Sequence, residues 1–172
     1  MPSKIVFLGD SLTEYCPWEK FFPDVEAMNM GVSGDTTDGV RERIPWVVRA
    51  NPEKIFLMVG INDLFMKKDK RRIVENYREI LGVLRSQLPE TKIFVQSILP
   101  TDDIWMNADI EKINGDIRSL ADGLGAEYID IYQDFVGGGK TVRPDYVNDG
   151  VHLSQLGYVA WKNAIEKYCR GC

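Results

Sequence analysis

Five short apolar runs separated by longer amphipathic stretches restrict what this chain can fold into more than any other feature it has. Lys4–Leu8 (KIVFL), Ala27–Met30, Lys54–Val59 (KIFLMV), Lys92–Ile98 (KIFVQSI) and Glu127–Ile131 (EYIDI) read as strands. Most are near-continuous in apolar character, the pattern of a parallel sheet covered on both faces. Helices are expected between them. Asp38–Ala50 stops at Asn51-Pro52, and Asp69–Gln87 carries Ile73, Tyr77, Ile80, Leu81 and Leu84 at helical spacing. Asn107–Leu124 repeats the pattern with Ile110, Ile113, Ile117 and Leu120 and is closed by Gly125, while Ser154–Cys169 begins with a capping serine. Strand–helix alternation with right-handed crossovers gives a three-layer α/β/α sandwich.

The 172 residues suffice for one domain and are too few for two, so residues 1–172 are read as a single unit. A net charge of -5 argues against a nucleic-acid surface, which is normally basic. The apolar run near the N-terminus is too short for a signal peptide, and no run is long enough to span a membrane. A cytoplasmic location is the corresponding expectation. The three cysteines, Cys16, Cys169 and Cys172, do not suggest a disulfide framework. Cys169 and Cys172 lack a second pair with which to build a metal site, and a frayed helix end is the plainer reading.

In such sheets ligands bind beyond the carboxyl ends of the strands. Three segments follow strands there: Gly9-Asp10-Ser11-Leu12, Gly31-Val32-Ser33-Gly34-Asp35-Thr36 and Gly60-Ile61-Asn62-Asp63. A fourth, Asp149-Gly150-Val151-His152, precedes the last helix. His152 is the only histidine in the chain. A serine hydroxyl needs a neighbouring base to attack a carbonyl, and this imidazole is the one available. Asp149, three residues earlier, is spaced to reach one ring nitrogen and leave the other for Ser11. The backbone N–H groups of Ser11 and Gly34 and the side-chain amide of Asn62 are candidate donors for an oxyanion. Each residue alone has a bland alternative as a cap or turn. Four polar segments falling on one rim do not.

These blocks, in this order from residue 9 to residue 152, resemble those of the SGNH, or GDSL, hydrolase family of lipases and esterases. The resemblance implies a flavodoxin-like five-stranded parallel sheet of order 2-1-3-4-5. It also implies Ser11 as nucleophile, His152 as base and Asp149 as the carboxylate that orients it. Ser11, Gly34 and Asn62 would form the oxyanion hole, with no metal and no organic cofactor. The rival of a different class is a flavodoxin-like phosphate- or nucleotide-binding module, in which Ser11 and Thr13 hold a phosphate and Asn62, Asp149 and His152 have no task.

Phe65 and Met66 after the third strand, Trp105 and Met106 after the fourth, and Tyr146 before Asp149 are expected on rim loops. With Leu12 and Val151 they are the candidate substrate-binding residues, or else part of a homodimer contact. Little chain remains beyond the five-strand framework for a lid or an acyl tunnel. A short-chain ester, such as an O-acetylated sugar, is therefore the favoured small-molecule substrate over a long-chain lipid. Gly137-Gly138-Gly139-Lys140-Thr141 fails as a phosphate-binding loop because its first glycine would fall at Asp134, and is read as a flexible loop. The basic run from Lys67 to Arg72 is read as solvated.

Overall fold

The computed structural model describes residues 2–170. Five strands form one sheet: β1 (Lys4–Gly9), β2 (Glu26–Gly31), β3 (Lys54–Met58), β4 (Lys92–Gln96) and β5 (Glu127–Ile129). Their order is β2-β1-β3-β4-β5 and every pairing is parallel, as expected. The two-residue pleat of β1 divides the core. Val6 and Leu8 face one side with α3 (Thr37–Ala50), α5 (Lys70–Gln87) and α6 (Ile104–Gly123). Ile5 and Phe7 face the other, where α2 (Trp18–Phe21) and α8 (Gln155–Arg170) pack. On that second side Phe7 stacks on Trp18 with ring centroids 3.8 Å apart, and Trp161 meets Trp18 edge-on at 5.1 Å.

Helix ends follow the expected chemistry. Asn51 closes α3 in the left-handed conformation, φ 47°, and Gly125 at φ 68° follows the end of α6. The Ser154 hydroxyl accepts the Gly157 N–H at 3.1 Å, where α8 begins.

Helix α6 starts three residues before the predicted Asn107. The Asp103 carboxylate accepts the N–H groups of Trp105 and Met106, so these residues lie in the first helical turn and not on a loop. Single-turn helices that sequence periodicity cannot register also appear: α1 (Ser11–Glu14), α4 (Ile61–Phe65) and α7 (Tyr132–Phe135). A 3-10 turn covers Pro144–Tyr146.

Candidate active site

The carboxyl ends of β1, β2 and β3, with the turn before α8, bring the four polar segments together. Asp10 caps α1 by accepting the Leu12 N–H at 3.0 Å, which fixes Ser11 at the first position of that helix. Ser11 Oγ lies 3.1 Å from His152 Nε2, although 141 residues separate them in sequence. The other ring nitrogen, Nδ1, lies 2.8 Å from Asp149 Oδ2.

The turn that holds this aspartate and histidine is closed on itself. The Asn148 N–H donates to the His152 carbonyl at 2.8 Å, and Val147 and Leu153 form an antiparallel bridge. Asp149 Oδ1 accepts the backbone N–H groups of Val151 and His152 at 3.1 and 2.7 Å. The His152 side-chain hydrogen bond, then these amides, hold the Asp149 carboxyl down at about 2, so it is ionised at any working pH. Gly150 has φ +87°, and a Cβ there would press to 2.2 Å from the Asp102 carboxylate, so the turn requires glycine.

Gly34 adopts φ +76°, and a Cβ built on it would meet no atom within 4 Å. Asn62 sits in the first turn of α4 and gives one of its amide N–H bonds to the Asp35 carbonyl at 2.8 Å. A carboxamide carries two such donors, so the second remains for another acceptor.

Sequence reasoning missed the residues that hold these donors. The Glu14 carboxylate accepts the Ser33 N–H at 2.9 Å and also the Ser33 hydroxyl. Tyr15 Oη is 2.9 Å from Ser33 Oγ, and the Tyr15 ring lies 5.9 Å from the His152 ring, making a wall beside it. Asp63, fully buried, accepts both the N–H and the hydroxyl of Thr37 at 2.8 and 2.7 Å, pinning the start of α3 to α4. Arg43 clamps the Asp35 carboxylate through Nε and Nη2 at 2.9 and 2.7 Å. On a sequence, all of these look like ordinary helix and turn residues.

The candidate substrate residues divide. Phe65, Met66 and Trp105 are exposed, Trp105 at 83%. Leu12 is 3% exposed and packs in the core, so its side chain does not face the site. Met106 and Val151 pack partly against the core, and Tyr146 meets Phe135 edge-on with the Arg143 guanidinium over its ring. A hollow of about 220 Å³ beside Trp105 is lined by Ile104, Asn107, Ala108, Glu111 and Lys140. A larger one of about 600 Å³ lies at the amino ends of β1, β3 and β4, among Ser3, Asn51 and Lys92, and contains none of the site residues.

Other readings change as well. The Gly-rich segment is a tied turn, in which the Gly137 N–H donates to the Thr141 carbonyl at 2.8 Å and Asn107 Nδ2 holds the Lys140 carbonyl. The basic run is not simply solvated, because Lys68 reaches Thr36 and Asp38 at 2.9 Å each and Arg72 reaches Asp38. Cys169 is packed in the core with its thiol pushed up to about 12 by burial, not frayed, while Cys172 lies outside the described residues. Thr13 is buried, so its hydroxyl is not offered to a phosphate as the binding-module reading requires. Among the described residues no acidic, cysteine and histidine cluster could hold a metal, and no helix is long and apolar enough to cross a membrane.

Asp10 has a measurable consequence. Burial raises its carboxyl from 3.8 to about 7, against the opposing pull of the Leu12 N–H. Between those pH values the folded chain holds a proton that the unfolded chain has released. Stability from this group is therefore complete below about pH 4 and is lost as pH rises through about 7. Asp10→Asn, which keeps an acceptor for the Leu12 N–H, should flatten the fall in unfolding free energy between acid and neutral pH. Parallel denaturation curves for the two proteins across that range would refute it.

Comparison with known proteins places the architecture. The family model of GDSL-like lipases and acylhydrolases matches residues 7–160. Subunit alpha1 of platelet-activating factor acetylhydrolase IB from Bos taurus is 26% identical over 164 residues, covering 90% of this chain and 70% of the relative. A GDSL-like lipase from Bacteroides thetaiotaomicron superposes with a TM-score of 0.86 at 23% identity, covering 97% of this chain and 87% of that one. An acetyl xylan esterase superposes at 0.83 with 22% identity, covering 96% and 98%. The family match, spanning nearly the whole chain and all four polar segments, decides the matter: this chain belongs to the GDSL-like lipase/acylhydrolase family, a family of carboxylic ester hydrolases.

Proposed function

We propose that the protein is a serine esterase that removes short acyl groups, acetyl first among them, from small alcohols or sugars. Ser11 is the nucleophile, His152 the general base and Asp149 the group that orients it. The observation that carries this reading is the continuous relay from Ser11 Oγ to His152 Nε2 at 3.1 Å and from His152 Nδ1 to Asp149 at 2.8 Å. His152 accepts the Ser11 proton as the oxygen attacks the ester carbonyl. The Ser11 and Gly34 N–H groups and the free N–H of Asn62 receive the oxyanion. The resulting imidazolium, stabilised by the ionised Asp149, then protonates the leaving alcohol. Water attacks the acyl carbon as it gives a proton to His152, and collapse of the second tetrahedral intermediate releases the acid as that proton returns to Ser11 Oγ.

The acyl preference rests on the shortness of the segments that join the strands to their helices, which leave little chain for a lid or an acyl tunnel. It is in keeping with the acetyl-ester chemistry named for the platelet-activating factor and xylan relatives. A series of p-nitrophenyl esters should show kcat/KM highest for acetyl or propionyl and falling with length. O-acetylated sugars should then be cleaved. Activity that climbs through octanoyl and longer chains would reject the short-acyl assignment.

A further inference from the structure

The two proposed oxyanion donors outside α1 come from different segments, Gly34 in the loop after β2 and Asn62 in α4 after β3, and Asp35 joins them. Its backbone follows Gly34 directly, its carbonyl takes the Asn62 amide at 2.8 Å, and its carboxylate takes the Arg43 fork at 2.9 and 2.7 Å. The remaining Arg43 donors end on the chain itself, Nη1 on the Met30 carbonyl at 3.1 Å and Nη2 on the Gly9 carbonyl at 3.3 Å. Those carbonyls lie at the ends of β2 and β1, and Gly9 stands two residues before Ser11. A single guanidinium thus ties the strand end that delivers the nucleophile to the residue that adjoins one donor and accepts a hydrogen bond from the other.

The arrangement is built into the first turns of α3. Gly39 is pressed so closely by the Asp35 carboxylate that a Cβ would lie 1.7 Å from Oδ1. The ion pair is largely sheltered, with side-chain exposures of 25% for Arg43 and 11% for Asp35. Only a planar, multiply donating cation makes these contacts together; a lysine ammonium is a point charge that reaches the carboxylate without bridging the two strand ends.

We propose that Arg43 is a positioning residue for the oxyanion site, setting the Gly34 and Asn62 donors against Ser11 through Asp35. This rests on the reading of Gly34 and Asn62 as oxyanion donors. Small displacements of such donors are expensive in rate and cheap in ground-state binding. Arg43→Ala should lower kcat on the order of 10–10²-fold while KM changes little, since the donors act on the transition state. Arg43→Lys should fall between it and wild type, and millimolar guanidinium should restore part of the alanine variant's kcat.

The deciding experiment is a double-mutant cycle of Arg43→Lys and Arg43→Ala with Asn62→Ala on p-nitrophenyl acetate. Arg43 acting through the donors loses much of its effect once Asn62 is truncated, so the kcat costs should be clearly less than additive. Fully additive costs, or wild-type kcat in both Arg43 variants, overturn the proposal and leave the oxyanion assignment standing. An Asn62→Ala enzyme with unchanged kcat overturns that assignment first, and this proposal with it. If Arg43→Ala does not fold, Arg43→Lys and Asp35→Asn carry the same cycle.

Discussion

Ser11→Ala should abolish ester cleavage while leaving the fold unchanged. Loss of the nucleophile in a serine hydrolase costs roughly 10⁶ in kcat, because the acyl-enzyme route closes altogether. The substitution removes one oxygen whose partner among the side chains is His152 Nε2, and the cap of α1 belongs to Asp10, not to Ser11. Unfolding free energy should therefore change by only about 1 kcal/mol. The checks are the rate on p-nitrophenyl acetate, the circular dichroism spectrum and melting temperature, and mass spectrometry after brief exposure to substrate. Wild type should carry an acyl adduct and the variant none. Cleavage at the wild-type rate would remove Ser11 from the mechanism.

Truncating Asn62 should be the second most damaging change. Loss of one oxyanion donor costs about 10²–10³ in kcat in comparable sites. The effect should appear in kcat with KM nearly constant, because the donor engages charge that develops only as the tetrahedral centre forms. Asn62→Ala also frees the Asp35 carbonyl that its amide occupies. That carbonyl belongs to a loop held independently by Glu14 and Arg43, so the protein should stay folded. A change confined to KM would show that Asn62 binds substrate in the ground state and does not serve the oxyanion.

What could be read before the structure was the part set by local pattern. The alternation of Ile5, Val6, Phe7 and Leu8 across β1 and the helical spacing of Ile73, Tyr77, Ile80 and Leu84 in α5 both reflect simple periods, and the sheet order came with the family resemblance. The four polar segments were legible because their residue types are unusual at the ends of strands. The single-turn helices were not, since four or five residues carry no period. The start of α6 was hidden because Ile104 and Trp105 are exposed apolar residues, and only the Asp103 carboxylate turns them into a helix start. Arg43 and Asp63 were invisible for a different reason. Their partners lie far along the chain at Gly9, Met30 and Thr37, and a charged residue on a helix looks solvated until its neighbours are known.

The turn from Val147 to Leu153 closes through its own main chain, and its carboxylate is bound by the two amides just after it and by the imidazole they carry. The aspartate and histidine half of the centre is thus a cassette of the seven residues 147–153, held together largely by contacts between neighbours in sequence. The remainder of the fold has only to present a hydroxyl at the right height. Removing that hydroxyl should leave the cassette intact, a proton acceptor still aimed at an empty place.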